Sequence, residues 1–206
     1  LGNTLKELGK LKEAQASYTQ AIALKPDYAE AHSNLGTIFK ELGKLKEAQA
    51  SYTQAIALKP NYAMAHSNLG NTLKELGRLK EAEASYTQAI ALKPDYAEAH
   101  SNLGTVLQEL GKLDEAQASY TQAIALKPDY AVAHYNLGII LQELGRLKEA
   151  EASYTQAIAL KPDYVEARSN LGTVLQELGK LDEAQASYTQ AIALKPDYAE
   201  AHSNLG

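Results

Sequence analysis

The chain has 206 residues, six times 34 plus two, and a 34-residue word recurs along its whole length. Its composition, 45% hydrophobic and 22% charged, is that of a soluble globular chain, and its aliphatic runs are far too short to span a membrane. A net charge of −5 with both signs interspersed offers no basic stripe for phosphates, and the lack of cysteine removes disulfides, thiolate metal sites and cysteine nucleophiles together. No nucleic-acid or membrane partner is expected, and a cytoplasmic location is favoured. Leu1 opens the chain without a methionine and Gly206 closes it inside the same word, so a piece of a longer protein is expected.

In chain order the word gives a partial copy at 1–28, full copies at 29–62, 63–96, 97–130, 131–164 and 165–198, and a fragment at 199–206. One array fills residues 1–206, and nothing is left over for a second domain. In copy 29–62, Ala31, Leu35, Ile38, Phe39 and Leu42 recur at helical spacing, so a first helix is predicted. Its polar face carries Glu30, Ser33, Asn34, Thr37, Lys40 and Glu41. Leu45, Ala48, Tyr52, Ala55 and Ile56 repeat the spacing in a second helix, with Lys46, Glu47, Gln49 and Thr53 outward.

Gly43 supplies a left-handed end to the first helix, Pro60 stops the second, and Asp27 to Glu30 has the spacing of a capping box. Gly36 lies inside a helix, where glycine costs about 1 kcal/mol relative to alanine. A close approach of the two helices over the small Ala48 is the expected compensation. A hairpin of 34 residues is too short to bury its own core, so each pair must cover its apolar face with the next. Twelve complete helices, a trailing half helix and no strand are expected.

The set Leu35, Gly36, Phe39, Ala48, Tyr52, Ala55 and Pro60 resembles the tetratricopeptide repeat signature in register and spacing, over all six copies. That resemblance implies an all-α, right-handed superhelix of antiparallel helix pairs, an α-solenoid whose first helices line a concave groove. Counted from Ala29, positions two, five, six, nine, twelve and thirteen of each copy would form the groove wall. The fourth position departs from the family's usual large aromatic, with His32, His66, His100, His134, Arg168 and His202 in its place.

The sixth position is asparagine throughout: Asn34, Asn68, Asn102, Asn136, Asn170 and Asn204. A row of amides can donate to and accept from the backbone of an extended peptide of any sequence. It resembles the asparagine ladder in the repeat arm of O-linked N-acetylglucosamine transferases; the other reading is a residue common in the family and used locally. Val132, Tyr135 and Ile139 break the polar pattern in one copy, read either as an anchor for an apolar ligand side chain or as drift, with Met64 an isolated second case. Glu30, Ser33 and Asn34 stand where chaperone-binding repeats need lysine and arginine to clamp a terminal carboxylate, so that ligand is excluded.

Histidines on stacked helices about 8–10 Å apart cannot converge on one metal ion, and partly buried packing roles are expected for them. The nearest approach to a phosphate loop, Gly2 to Gly9-Lys10, has the wrong spacing and Leu11 in place of serine or threonine. No nucleophile with its base is legible, so no catalysis and no cofactor are expected. The expected function is a scaffold that binds a protein or peptide segment in the groove. The alternatives are the substrate-recruiting arm of a larger enzyme such as a glycosyltransferase, and a self-assembly module. The tail Ala199 to Gly206 and the head Leu1 to Leu8 are complementary halves of one first helix, apart from an overlap of Leu205-Gly206 with Leu1-Gly2, so head-to-tail self-stacking of copies is expected.

Overall fold

The computed structural model describes residues 2–205. The self-stacking expected of segments 199–206 and 1–8 includes Leu1 and Gly206, which lie outside the described residues. Thirteen α-helices and no strand occur among the described residues. They are α1 Gly2–Glu7, α2 Leu11–Leu24, α3 Ala29–Glu41, α4 Leu45–Leu58, α5 Ala63–Glu75, α6 Leu79–Leu92 and α7 Ala97–Glu109. There follow α8 Leu113–Leu126, α9 Ala131–Glu143, α10 Leu147–Leu160, α11 Val165–Glu177, α12 Leu181–Leu194 and α13 Ala199–Leu205. Both α1 and α13 are short, with 6 and 7 residues, so the full-length helices run from α2 to α12 and number one fewer than the expected twelve. No helix among the described residues is long and apolar enough to cross a membrane.

The chain divides into two compact units, Leu1–Val106 and Leu107–Gly206, with the boundary inside α7. In the first, α1 pairs with α2, α3 with α4 and α5 with α6, and α2 rests on α3 as α4 does on α5. In the second, α9 pairs with α10 and α11 with α12, while α8 rests on α9, α10 on α11 and α12 on α13. First helices also touch one another, α3 with α5, and α11 with both α9 and α13.

Each pair is locked by one tyrosine of its second helix. Tyr52 is buried, and a Cβ built on Gly36 would stand 2.9 Å from its ring. The glycine therefore makes room for Tyr52, and the expected role of Ala48 as its counterpart is corrected. Ala48 is fully buried nearby on the same helix face. The Tyr52 hydroxyl shares a 3.0 Å hydrogen bond with Thr37, so the ring is buried and its polar tip satisfied.

At the end of α3, Gly43 has φ +72°. Its N–H donates to the Lys40 carbonyl at 2.9 Å and the Lys44 N–H to that of Phe39 at 2.8 Å, the pairing that closes a helix through a left-handed residue. An added Cβ at Gly43 would meet nothing within 4 Å. Gly43→Ala is thus expected to cost about 1 kcal/mol, from backbone strain alone, measured by urea unfolding followed by circular dichroism.

The capping box expected from Asp27 to Glu30 is not formed. Tyr28 is the N-cap and no side chain bonds to the cap, because α3 starts one residue later than Asp27 would require. The Tyr28 carbonyl accepts from the N–H groups of Ala31 and His32 instead, and Glu30 accepts from Lys59 Nζ at 2.8 Å. Lysines at the ends of the second helices, Lys59 among them, lie over the tyrosine that opens the next helix, 4.6–5.4 Å from the ring centroid in the six turns. That contact favours a cation where the helix C-terminus already does.

Candidate functional site

Along α3 the residues Glu30, Asn34, Thr37 and Glu41 fall at i, i+4, i+7 and i+11, one stripe of a helix surface. On α5 the same stripe is Met64, Asn68, Asn71 and Glu75; on α9 it is Val132, Asn136, Ile139 and Glu143; on α11, Glu166, Asn170, Thr173 and Glu177. Because first helices touch, the stripes lie side by side within each unit. Asn34, Asn68 and Asn102 belong to the first unit, and Asn136, Asn170 and Asn204 to the second.

All of these asparagines are half-buried except Asn204 on α13, which is exposed. Their partners divide them. Asn102 Nδ2 donates to Asn71 Oδ1 at 3.3 Å, and the same oxygen accepts from the Tyr86 hydroxyl at 2.7 Å. Asn170 Nδ2 donates to the Tyr135 hydroxyl at 3.4 Å. These two amides are used between neighbouring repeats. The side-chain amides of Asn34, Asn68 and Asn136 make no hydrogen bond to another described residue, although each is only partly open to solvent.

The fifth position does not belong to the exposed stripe. Ser33, Ser67 and Ser169 are each 2% exposed and Ser101 is 3%, so the placement of Ser33 on the outer face is corrected. The substituted copy shows what lies there: Tyr135 on α9 reaches Asn170 on α11, so this position faces the next first helix, where a serine is small enough to be enclosed.

Tyr135 is half-buried, its ring 4.8 Å from that of Tyr164 and 5.9 Å from that of Tyr154. Burial, with Glu166 nearby, raises its phenol above the ordinary range. Ile139 is half-buried and packs beside it on the core of Leu141, Ala150, Tyr154 and Val174. Val132, one turn before Tyr135, is 44% exposed and is the open part of this apolar surface. Met64 in the first unit is 48% exposed, with no aromatic beside it on α5.

The twelfth and thirteenth positions join repeats, an arrangement not foreseen from the sequence. In the first unit Lys6 pairs with Glu41 at 3.1 Å and Lys40 with Glu75 at 2.9 Å. In the second unit glutamine replaces lysine: Gln108 donates to Glu143 at 2.8 Å and Gln142 to Glu177 at 3.1 Å. The signal was available as residues of complementary type 35 apart, hidden by a periodicity of 34. Glu30 is held below the usual carboxylate range, chiefly by its hydrogen bond from Lys59, and that lysine is raised in turn.

The fourth-position histidines also have a local role. His32, His66, His100 and His134 each place Nε2 3.0 Å from the carbonyl of the proline six residues earlier, and His202 does so at 2.8 Å. Arg168 reproduces the contact through Nη2 to Pro162 at 2.8 Å. A donor here ties each first helix to the turn before it.

Two larger clefts lie on second-helix surfaces. One of about 590 Å³ is lined by Lys12, Gln15, Thr19, Gln20, Leu42 and Lys44. The other, about 540 Å³, has Lys148, Glu151, Thr155, Gln156, Leu178 and Lys180 around it, which are equivalent residues save for Glu151. Recurring at the repeat period and bordered by the Lys180–Glu151 ion pair at 2.7 Å, this cleft is a product of stacking. No set of polar groups converges in it.

A family model described as the cilia and flagella-associated protein 70 C-terminal domain matches residues 1–204. No curated protein matches the sequence. Among solved structures, YrrB, described as a TPR protein with an unusual peptide-binding site, is 24% identical with a TM-score of 0.76, over 90% of this chain and 96% of its own. MamA is 26% identical with a TM-score of 0.75, over 81% and 97%. PilF of Pseudomonas aeruginosa is 21% identical with a TM-score of 0.88, over 98% and 92%. The fold is thus the all-helical solenoid of consecutive helix pairs that tetratricopeptide repeats form.

Proposed function

The chain belongs to the cilia and flagella-associated protein 70 C-terminal domain family, and from that premise we propose that it is a protein-interaction scaffold holding an extended peptide along the asparagine stripe of its first helices. The observation that carries this reading is the pair Asn34 and Asn68, half-buried amides on touching helices with no hydrogen-bond partner among the described residues. Such groups are poised to exchange water for a peptide backbone at little desolvation cost, since both donor and acceptor find partners there. The peptide-binding site named for YrrB and the resemblance of the row to the asparagine ladder of O-linked N-acetylglucosamine transferases support the same assignment. Asn136 plays the equivalent part on α9, whereas Asn102 and Asn170 chiefly orient their neighbours.

Short peptides selected from a random display library on the wild-type chain supply the probe, titrated by fluorescence anisotropy. Asn34→Ala and Asn68→Ala are each expected to weaken binding by about 0.5–1.5 kcal/mol, the value of a neutral hydrogen bond. An affinity unchanged in the double variant sinks the reading.

A further inference from the structure

The two units carry the same stripe with different electrostatics. In the first unit its carboxylates are neutralised: Glu30 by Lys59 at 2.8 Å, Glu41 by Lys6 at 3.1 Å and Glu75 by Lys40 at 2.9 Å. In the second unit Glu143 and Glu177 are met only by the neutral amides of Gln108 and Gln142. Among the described residues the Glu200 carboxylate accepts only from the Tyr198 hydroxyl, at 2.7 Å. Glu166, the counterpart of Glu30, has no ion-pair partner among the described residues. All four are exposed. The nearest cation on these first helices, Arg168, is turned away to the Pro162 carbonyl and Gln190.

Within the same stripe Val132 is exposed and continuous with the half-buried ring of Tyr135. Uncompensated carboxylates therefore share the stripes of α9, α11 and α13 with one apolar foothold on α9, flanked by the amides of Asn136 and Asn170. The first unit has no such combination, since its exposed Met64 stands among paired charges.

We propose that this face of the second unit selects a basic peptide segment: Glu143, Glu166, Glu177 and Glu200 receive lysine or arginine side chains, while Val132 and the edge of Tyr135 take an aliphatic or aromatic one. The inference rests on the peptide-scaffold reading and adds to it the chemistry of the ligand and the unit that reads it. Charge complementarity identifies the partner, because four carboxylates lacking a counter-ion on adjoining helices raise the local concentration of cationic chains. The apolar foothold fixes register, which a diffuse field alone cannot do.

Three fluorescein-labelled peptides of one length provide the test, with leucine alternating with lysine, with glutamine or with glutamate, titrated against the intact chain at low and high salt. The lysine peptide should bind about tenfold more tightly than the glutamine peptide, as expected for a few exposed ion pairs acting together, and the margin should shrink as salt rises. Glu143→Gln, Glu166→Gln and Glu177→Gln combined should abolish the margin. The matching first-unit variant, Glu30→Gln, Glu41→Gln and Glu75→Gln, should leave it standing. Val132→Ser should weaken the lysine–leucine peptide and leave a lysine–serine peptide unchanged. Lysine and glutamate peptides of equal affinity, or equal losses in the two triple variants, would overturn the proposal. If the glutamine peptide binds in an Asn34- and Asn68-dependent way without any lysine preference, the scaffold reading stands and the basic ligand is wrong. If no peptide of any charge binds, both fall.

Discussion

Tyr154→Ala is expected to destabilise the chain by about 3–5 kcal/mol, the cost of emptying a large aromatic from a packed core. The Tyr154 side chain is fully buried, packs with Leu141, Ala150 and Val174, and donates its hydroxyl to Gln142 at 3.1 Å. It therefore joins three helices, α9, α10 and α11, and its loss weakens both the pair and its stacking on the next. The partner experiment is Gly138→Ala. A Cβ there would lie 2.6 Å from the Tyr154 ring, closer than side chains come, so alone it should cost about 1–3 kcal/mol through overpacking. With Tyr154 already replaced by alanine the same change should become neutral or stabilising by up to about 1 kcal/mol, since alanine is the better helix former and now has space. Urea unfolding of the four chains measures the coupling. Equal penalties in both backgrounds would show that the glycine serves some purpose other than seating the ring.

That pair also shows where the sequence was legible and where it was not. Helix positions followed from Ala31, Leu35 and Ile38 because apolar periodicity is a local property of the chain, and Gly43 and Pro60 punctuate it locally. What Gly36 faces is a tertiary question. Ala48 and Tyr52 lie one turn apart on the same face of α4, and only the packing decides that the ring crosses the glycine. Ser33 was misplaced for a similar reason: a serine reads as polar surface until an adjacent first helix covers it. The failed capping box at Asp27 reflects a start displaced by one residue, below the resolution of pattern reasoning.

The asparagine row was visible as a row. Its division into amides engaged between repeats, Asn102 and Asn170, and amides without a partner among the described residues, Asn34, Asn68 and Asn136, is a matter of tertiary contact. Asn71 and Tyr135 each offer an acceptor to the next first helix, whereas Thr37, at the ninth position of the copy preceding Asn68, bonds to Tyr52 and to the Ser33 carbonyl. The variation between copies thus goes with which amides are engaged.

Alkali should unfold the chain through its buried phenols. Desolvation raises Tyr52 from 10.0 to about 12, assisted by Glu41 and Glu75 and only partly offset by the hydrogen bond with Thr37. Burial likewise pushes Tyr164 up to about 12, and raises Tyr154 further in the same direction. The folded state favours the neutral phenol, so its contribution is fully present below pH 10 and is lost as pH rises through about 12. For Tyr52 the rise from 10.0 to about 12 corresponds to on the order of 2–3 kcal/mol. Urea midpoints followed by circular dichroism should accordingly stay level up to pH 10 and fall steeply above it. Phenolate absorbance should appear in two phases, exposed tyrosines first and buried ones together with unfolding. Lysines deprotonate in the same range, so Tyr52→Phe separates the causes: it removes an ionisable group, costs about 0.5–1.5 kcal/mol near neutrality for the lost Thr37 bond, and should flatten the alkaline fall. A fall as steep in Tyr52→Phe as in the wild type would show that Tyr52 does not drive the loss, leaving it to the other buried phenols or to the lysines, including those that pair with Glu30, Glu41 and Glu75.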